Sequence, residues 1–78
     1  MSVRQAPLNM DLDRLARAIA TKRADRTLRE IEVETGISKS TLSRMERGLT
    51  CDIQSFAAAI RWTGEDAAVV LGLRSPDV

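Results

Sequence analysis

The stretch that decides the fold is residues 27–48, TLREIEVETGISKSTLSRMERG. Thr27 and Glu30 have the spacing of a capping box, in which the hydroxyl accepts from the N3 amide and the glutamate accepts from the cap amide. They predict a helix that begins after Thr27 and runs to about Thr35. Gly36 follows, where a positive φ costs little, so the helix is expected to end there.

A second short helix is predicted immediately after this glycine. Ser38 can cap it, the helix should run over 39–47, and Gly48 is its expected C′ residue. Leu42 and Met45 would form its inner face.

The two helices are joined by a tight turn. Leu28 and Ile31 should anchor the first helix, with Thr35 as a further inward candidate, and Ile37 should fill the angle between the two. Two short helices at about 90–120°, joined by three or four residues, are what a helix-turn-helix requires. The spacing therefore predicts that motif over about 27–48.

Helical spacing continues towards the N-terminus. Asn9 or Asp11 can cap a first helix that ends near Arg23 or Ala24. Its apolar residues recur at steps of three and four: Leu12, Leu15, Ala16, Ile19 and Ala20.

Two further helices are predicted towards the C-terminus. Asp52 caps a fourth helix that ends near Gly64, with these residues inward: Ile53, Phe56, Ala57 and Ile60. A short fifth helix, roughly 65–71, carries Ala68, Val69, Leu71 and, beyond its end, Leu73. No stretch has the period-two alternation of a strand, so the predicted class is all-α. The chain is short enough for one domain at 9–74, with an N-terminal arm at 1–8 and a tail at 75–78.

Composition excludes several classes of protein. No purely apolar stretch is longer than that at 67–71, which is far shorter than the ~20 residues that span a bilayer. The N-terminus has no apolar core, and the single cysteine, Cys51, has no internal disulfide partner, so we expect a cytoplasmic protein without a membrane role. The chain has no histidine, no cluster of metal ligands and no glycine-rich phosphate loop, so we expect neither an enzyme nor a cofactor, and no small-molecule ligand is evident.

The charges are unevenly distributed although the net charge is only +1. Between Arg14 and Arg47 there are nine basic and five acidic residues, whereas the rest of the chain has three basic and six acidic residues. This pattern fits a positive face for a polyanion. On charge alone, an ordinary solvated surface fits equally well.

The outward face of the 39–47 helix has no bulky apolar residue. Its outward residues are Lys39, Ser40, Ser43, Arg44 and Arg47. Lys and Arg can donate to guanine O6 and N7, and hydroxyls can pair with several bases. The face therefore favours a helix that contacts base edges in the major groove.

Residues 27–48 resemble the signature of the XRE family, which contains phage repressors and Cro. The portion TGISKSTLSRMERG is the most specific, and a looser likeness extends from about Leu12 to Gly64. The resemblance implies a compact domain of five helices, similar to the lambda repressor, with a helix-turn-helix that binds operator DNA.

The resemblance also implies roles for single residues. Base edges would be contacted by Lys39, Ser40, Ser43 and Arg44. Phosphates would be contacted at the start of the second helix, by Thr27, Leu28 and Arg29. Apart from the resemblance, the basic stretch offers further candidates for phosphate contacts: Lys22, Arg23, Arg26, Arg47 and Thr41, with Arg14 or Arg17 as additional cations. Glu46 matches a family glutamate that pairs with a basic residue at the end of the first helix, here Arg23.

The chain departs from the family at two places. Glu32 stands where the family usually has a small alanine. Its carboxylate must therefore reach solvent or pair with a nearby basic side chain. The 49–52 loop carries no basic residue, so the amides near Ile53 and Gln54 are the remaining candidates for phosphate contacts there, although Asp52 disfavours them.

The C-terminal apolar cluster leaves two interpretations open. Val69, Val70, Leu71 and Leu73 either only close the core or also form a homodimer interface, which a symmetric operator would need. Trp62 is expected to pack in the core against the first and fifth helices, with a dimer contact as the alternative. Cys51 is expected to be an inert loop residue.

Two functions follow as hypotheses. The first is a sequence-specific double-stranded DNA-binding transcriptional regulator, most simply a repressor that forms a homodimer. The second is an antitoxin-like or adaptor module that uses the same fold to bind a protein. An adaptor should carry apolar or acidic residues on the outward face of the 39–47 helix, whereas Lys39 and Arg44 suit a polyanion.

Overall fold

The computed structural model describes residues 10–76, and within them it contains five helices and no strand. The helices are α1 (Leu12–Arg23), α2 (Leu28–Thr35), α3 (Lys39–Glu46), α4 (Ile53–Thr63) and α5 (Ala67–Val70). The predicted all-α class is confirmed. The predicted arm at 1–8, the alternative cap Asn9 and the last two residues of the predicted tail lie outside the described residues.

The helix starts follow the predicted caps. In α2 the amide of Glu30 donates to the Thr27 hydroxyl (3.1 Å) and the amide of Thr27 donates to the Glu30 carboxylate (2.8 Å), so both halves of the capping box are formed. Ser38 caps α3 and Asp52 caps α4. Of the two caps proposed for α1, Asp11 accepts from the Arg14 amide at 3.0 Å. These bonds join residues three apart, which is why local sequence predicts them.

α1 lies at the centre of the molecule, where it contacts α3, α4 and α5, while α2 packs on α3 and α4. The core residues are Leu15, Ala16, Ile19, Ile31, Ile37, Leu42, Met45, Ala59, Val69 and Val70. Ile37, in the turn between α2 and α3, is buried as expected. This core fixes α3 by one face and leaves its opposite face to solvent.

The predicted inner face of α4 is wrong in part. Ile53 is 81% exposed and Ala57 is also exposed, whereas Ala59 is fully buried. The buried stripe is centred on Ala59, with Phe56 and Ile60 half-buried beside it. At 3.6 residues per turn, Ile53 and Ala57 lie roughly 120° and 160° around the helix from Ala59, away from the centre of the stripe.

Three other details of the prediction are corrected. Ala20, placed in the apolar series of α1, is exposed. α5 is shorter than the predicted 65–71, because Asp66 caps it by accepting from the Ala68 amide and Glu65 instead pairs with Arg14 at 2.7 Å. Val69 and Val70, proposed for a dimer interface, are 6% and 0% exposed, so both belong to the core.

Gly48 follows α3 with φ +78, and its surroundings make it more demanding than the other glycines. A Cβ at this position would lie 2.7 Å from the Asp13 carboxylate oxygen, so the start of α1 packs directly on the end of α3. By contrast, Gly36, with φ +81 at the end of α2, has open space where a Cβ would be.

We expect Gly48→Ala to lower the free energy of unfolding by about 1–2 kcal/mol for the left-handed backbone, with only a small added loss, because the Asp13 carboxylate is the movable end of an exposed side chain. Urea unfolding, monitored by circular dichroism, measures the total change in the free energy of unfolding. Gly36→Ala is the matched control, because it carries the backbone cost alone. A loss at Gly48 no larger than the loss at Gly36 would show that the contact with Asp13 is unimportant.

None of the helices in residues 10–76 has the length and apolarity needed to cross a membrane.

Candidate functional site

The outward face of α3 brings the four predicted base-reading residues together. Lys39, Ser40 and Arg44 are exposed, and Ser43 is half-exposed on the same side. The opposite side carries Leu42 and Met45, which are 0% and 2% exposed. Positions three and four apart share a helix face, so Lys39 lies beside Ser43, and Ser40 lies beside Ser43 and Arg44. The four side chains therefore form a continuous polar ridge, here called the α3 ridge.

Hydroxyl groups cluster at the start of α3. The Ser38 hydroxyl accepts from the Thr41 amide at 3.2 Å and donates to the Thr41 hydroxyl at 2.9 Å. It also lies 3.3 Å from the Ser40 hydroxyl. Thr41, predicted to contact phosphate, is therefore half-buried in the cap of α3, whereas Ser40 remains exposed on the α3 ridge.

The orientation of α3 is fixed by the expected ion pair between Arg23 and Glu46. Arg23 donates from Nε and Nη2 to the two oxygens of Glu46, at 2.7 and 2.8 Å, which ties the end of α1 to the end of α3. Both side chains are mostly shielded, with 26% and 15% exposure. The hydrogen bonds that Arg23 donates to the Glu46 carboxylate raise the pKa of Arg23 above its ordinary value.

All three side-chain nitrogens of Arg23 therefore donate hydrogen bonds to other groups of the protein. Its third nitrogen, Nη1, donates to the carbonyl of Arg26 at 2.9 Å. The geometry supports the structural role that was predicted for Arg23, and it does not support the additional prediction of a phosphate contact.

The other predicted phosphate-binding cations differ in their surroundings. Arg29 and Arg47 are exposed, and Arg17 is exposed on α1, whereas Arg14 is paired with Glu65. Arg26 donates to Glu34 at 2.7 Å and to the carbonyl of Lys22 at 3.1 Å. The Lys22 ammonium lies 5.7 Å from the centre of the Trp62 ring, a cation–π distance.

Trp62 and Glu34 form a contact that sequence reasoning missed. The indole N–H of Trp62 donates to Glu34 Oε2 at 2.6 Å, so Trp62 joins α4 to α2 and, through Lys22, to α1. The prediction placed Trp62 against α1 and α5. The two partners lie 28 residues apart, and no local pattern in the sequence marks such a pairing.

Beside the α3 ridge, the loop at 49–52 is uncharged except for Asp52. Hydrogen bonds from the Ser55 hydroxyl and amide lower the pKa of Asp52, so the start of α4 stays anionic at neutral pH. Burial, followed by the charge of Asp52, raises the pKa of the Cys51 thiol. A thiol with a raised pKa is mostly protonated at neutral pH, as expected for an inert cysteine.

Arg44 is the residue of the α3 ridge that reaches towards this loop. Its Nη2 lies 3.4 Å from the carbonyl of Thr50, a long contact that leaves the exposed guanidinium with most of its donors free. The only carboxylate within α3, Glu46, is neutralised by Arg23. The α3 ridge can therefore present two cations and two hydroxyls to an anionic or hydrogen-bonding surface.

Residues 10–76 contain no group of three or more histidine, cysteine or acidic side chains that could hold a metal ion. Compared with protein-family models, curated proteins and solved structures, the chain matches none of them.

Proposed function

We propose that this chain is a sequence-specific double-stranded DNA-binding transcriptional regulator of the XRE helix-turn-helix type, which acts most simply as a repressor by occupying an operator. The observation that carries the proposal is the α3 ridge, with Lys39, Ser40, Ser43 and Arg44 on one solvent-facing side. The other side of the same helix is held in the core by Leu42 and Met45. A short rigid helix with a polar outer face is what enters a major groove about 12 Å wide.

In this proposal α2, the turn at Gly36–Ser38 and α3 form the helix-turn-helix. Lys39 and Arg44 would donate to guanine O6 and N7, while Ser40 and Ser43 would pair with bases or phosphates. The ion pair between Arg23 and Glu46 supports the proposal because it fixes α3 without using a residue of the α3 ridge.

Backbone phosphates would be contacted at the edges of the same surface. The candidates with exposed cationic side chains are Arg29 and Arg47, and the α2 amides at Leu28 and Arg29 point out from the helix start, where the dipole favours anions. Lys22 would add a weaker contact from beside Trp62. Such contacts position a protein on DNA but do not select a sequence.

A homodimer is part of the proposal, because two reading helices about 34 Å apart match a symmetric operator. With Val69 and Val70 assigned to the core, the remaining candidates for a two-fold contact are Leu71, which is half-buried, and Leu73, which is 64% exposed. The proposed location is the cytoplasm.

The alternative of an adaptor or antitoxin-like module predicts apolar or acidic groups on the outer face of α3. That face instead carries Lys39 and Arg44, which favour nucleic acid. The two functions can coexist on one fold, so a protein partner for another face is compatible with DNA binding.

Selection from a random duplex library tests the proposal directly. The purified chain should recover a defined motif, and inverted symmetry in that motif would support paired reading heads. The Lys39→Ala and Arg44→Ala double variant should lose the motif while it still binds DNA weakly through phosphate contacts. Recovery of no motif by the wild-type chain at low salt would contradict sequence-specific binding, and an asymmetric motif would contradict the symmetric dimer.

A further inference from the structure

Two ion pairs engage arginines at the corner between α1 and α2, and they differ in how easily they can open. The pair between Arg23 and Glu46 has two hydrogen bonds and is mostly shielded from solvent. The pair between Arg26 and Glu34 has one hydrogen bond, and its side chains are 39% and 42% exposed. Exposed single-bond pairs are weak, whereas bidentate shielded pairs are strong. Arg26 is therefore the arginine of this corner that can exchange its partner.

Glu34 is held in place by a second contact. Its other oxygen accepts from the Trp62 indole at 2.6 Å, and the Lys22 ammonium stands over the ring of the same tryptophan. The hydrogen bonds from Trp62 and Arg26 lower the pKa of Glu34 below its ordinary value. At neutral pH, Arg26 consequently faces a carboxylate that is both ionised and positioned.

We propose that Glu34 sets the DNA affinity of this protein by competing with a backbone phosphate for the guanidinium of Arg26. The inference rests on the proposed DNA-binding function. Arg26 directly precedes Thr27, the cap of α2, and the start of that helix is where a phosphate would bind. Glu34 lies in the last turn of α2, seven residues and about 10 Å along the helix from Thr27.

This geometry gives Arg26 two competing anions at opposite ends of α2. While Arg26 is bound to Glu34, its charge is compensated and the carboxylate repels an approaching phosphate. A full contact with phosphate requires the ion pair to open. The native glutamate therefore weakens binding to every DNA sequence alike, since phosphates carry no sequence information.

Glu34→Gln is the sharpest test, because glutamine keeps the side-chain length and an acceptor for the indole while it removes the charge. Glu32→Gln is the matched control: it makes the same charge change on the same helix, at a residue that takes part in none of the ion pairs seen in residues 10–76. The probe is a fluorescein-labelled, mixed-sequence duplex of about 20 base pairs, or roughly two helical turns. Anisotropy titrations at several sodium chloride concentrations measure affinity and its salt dependence.

We expect Glu34→Gln to bind about two- to five-fold more tightly than Glu32→Gln at the same salt, the factor typical of an exposed ion pair. The plot of log affinity against log salt should become steeper by about one, because one more phosphate is contacted. Glu34→Ala, which removes both contacts of the carboxylate, should show the same tightening. In an Arg26→Ala background, Glu34→Gln should have no advantage over Glu32→Gln.

Equal affinities of Glu34→Gln and Glu32→Gln would overturn the inference, and so would an advantage that persists without Arg26. Neither result would contradict the proposed DNA-binding function, provided that the wild-type chain binds the duplex. If the wild-type chain and every variant failed to bind the duplex even at low salt, the proposed function would fall as well. Thermal unfolding of each variant shows whether an affinity change arises from a folding defect.

Discussion

Replacing Ile37 by alanine is expected to lower the free energy of unfolding by about 2–5 kcal/mol, the usual range for truncating a buried isoleucine. Ile37 is 2% exposed and belongs to the same core cluster as Ile31 of α2 and Leu42 of α3. Its removal leaves a cavity at the angle where these two helices meet. Because domains of this size are only marginally stable, the loss is a large share of the total.

Ile53→Ala is the matched control for this prediction, since it removes the same atoms from a side chain that is 81% exposed. Its effect on the free energy of unfolding should stay within about 0.5 kcal/mol. Urea unfolding monitored by far-ultraviolet circular dichroism measures both variants. Similar losses at Ile37 and Ile53 would mean that the turn residue does not hold α2 and α3 together.

Arg44→Ala is expected to weaken binding to the selected operator by about 1–3 kcal/mol, or roughly five- to 150-fold. Arg44 is exposed on the α3 ridge, and the hydrogen bond that its side chain makes within residues 10–76 is the long one to the Thr50 carbonyl. A guanidinium in this position can donate two hydrogen bonds to one guanine, and alanine can donate none. The loss should be confined to one position of the motif, where the variant should accept other bases.

The measurement is an anisotropy titration at one fixed salt concentration, with the selected duplex and its single-base variants. Arg61→Ala on α4 controls for the loss of one positive charge away from the α3 ridge. Lys22→Ala should instead weaken all duplexes alike and flatten the salt dependence, as a phosphate contact does. If the operator affinity of Arg44→Ala equalled that of Arg61→Ala, the assignment of Arg44 to base contacts would be wrong.

The helix boundaries could be predicted from sequence because each depends on neighbouring residues. The capping box of Thr27 and Glu30 and the caps Ser38 and Asp52 all act over three residues, and all are formed. The weakest boundary prediction was α5, where Asp66 rather than an earlier residue provides the cap. A four-residue helix has too few local bonds to define its own ends.

Burial within the helices was less predictable. The apolar pattern of α4 predicts that Ile53 and Ala57 are buried, whereas the buried residue of this helix is Ala59. Hydrophobicity alone could not rank these residues, since Ala57 and Ala59 are identical, and the packing of α4 against α1 and α2 decides which side of the helix is covered. In the same way, Val69 and Val70 are candidates for a dimer interface from sequence, but both are buried in the core of the single chain.

The sequence by itself determined that this chain is all-helical, where α1 to α4 begin and end, and that the outer side of α3 is polar and cationic, since these properties come from contacts within one or two helical turns. Only the tertiary structure decided which charged groups remain free. It pairs Glu34 with Arg26 and with Trp62, across 8 and 28 residues of chain, and it forms the Arg23–Glu46 pair across 23 residues, which a resemblance had implied but no local pattern predicted. Such pairings exist only after the helices dock, because docking alone brings these distant side chains within bonding distance.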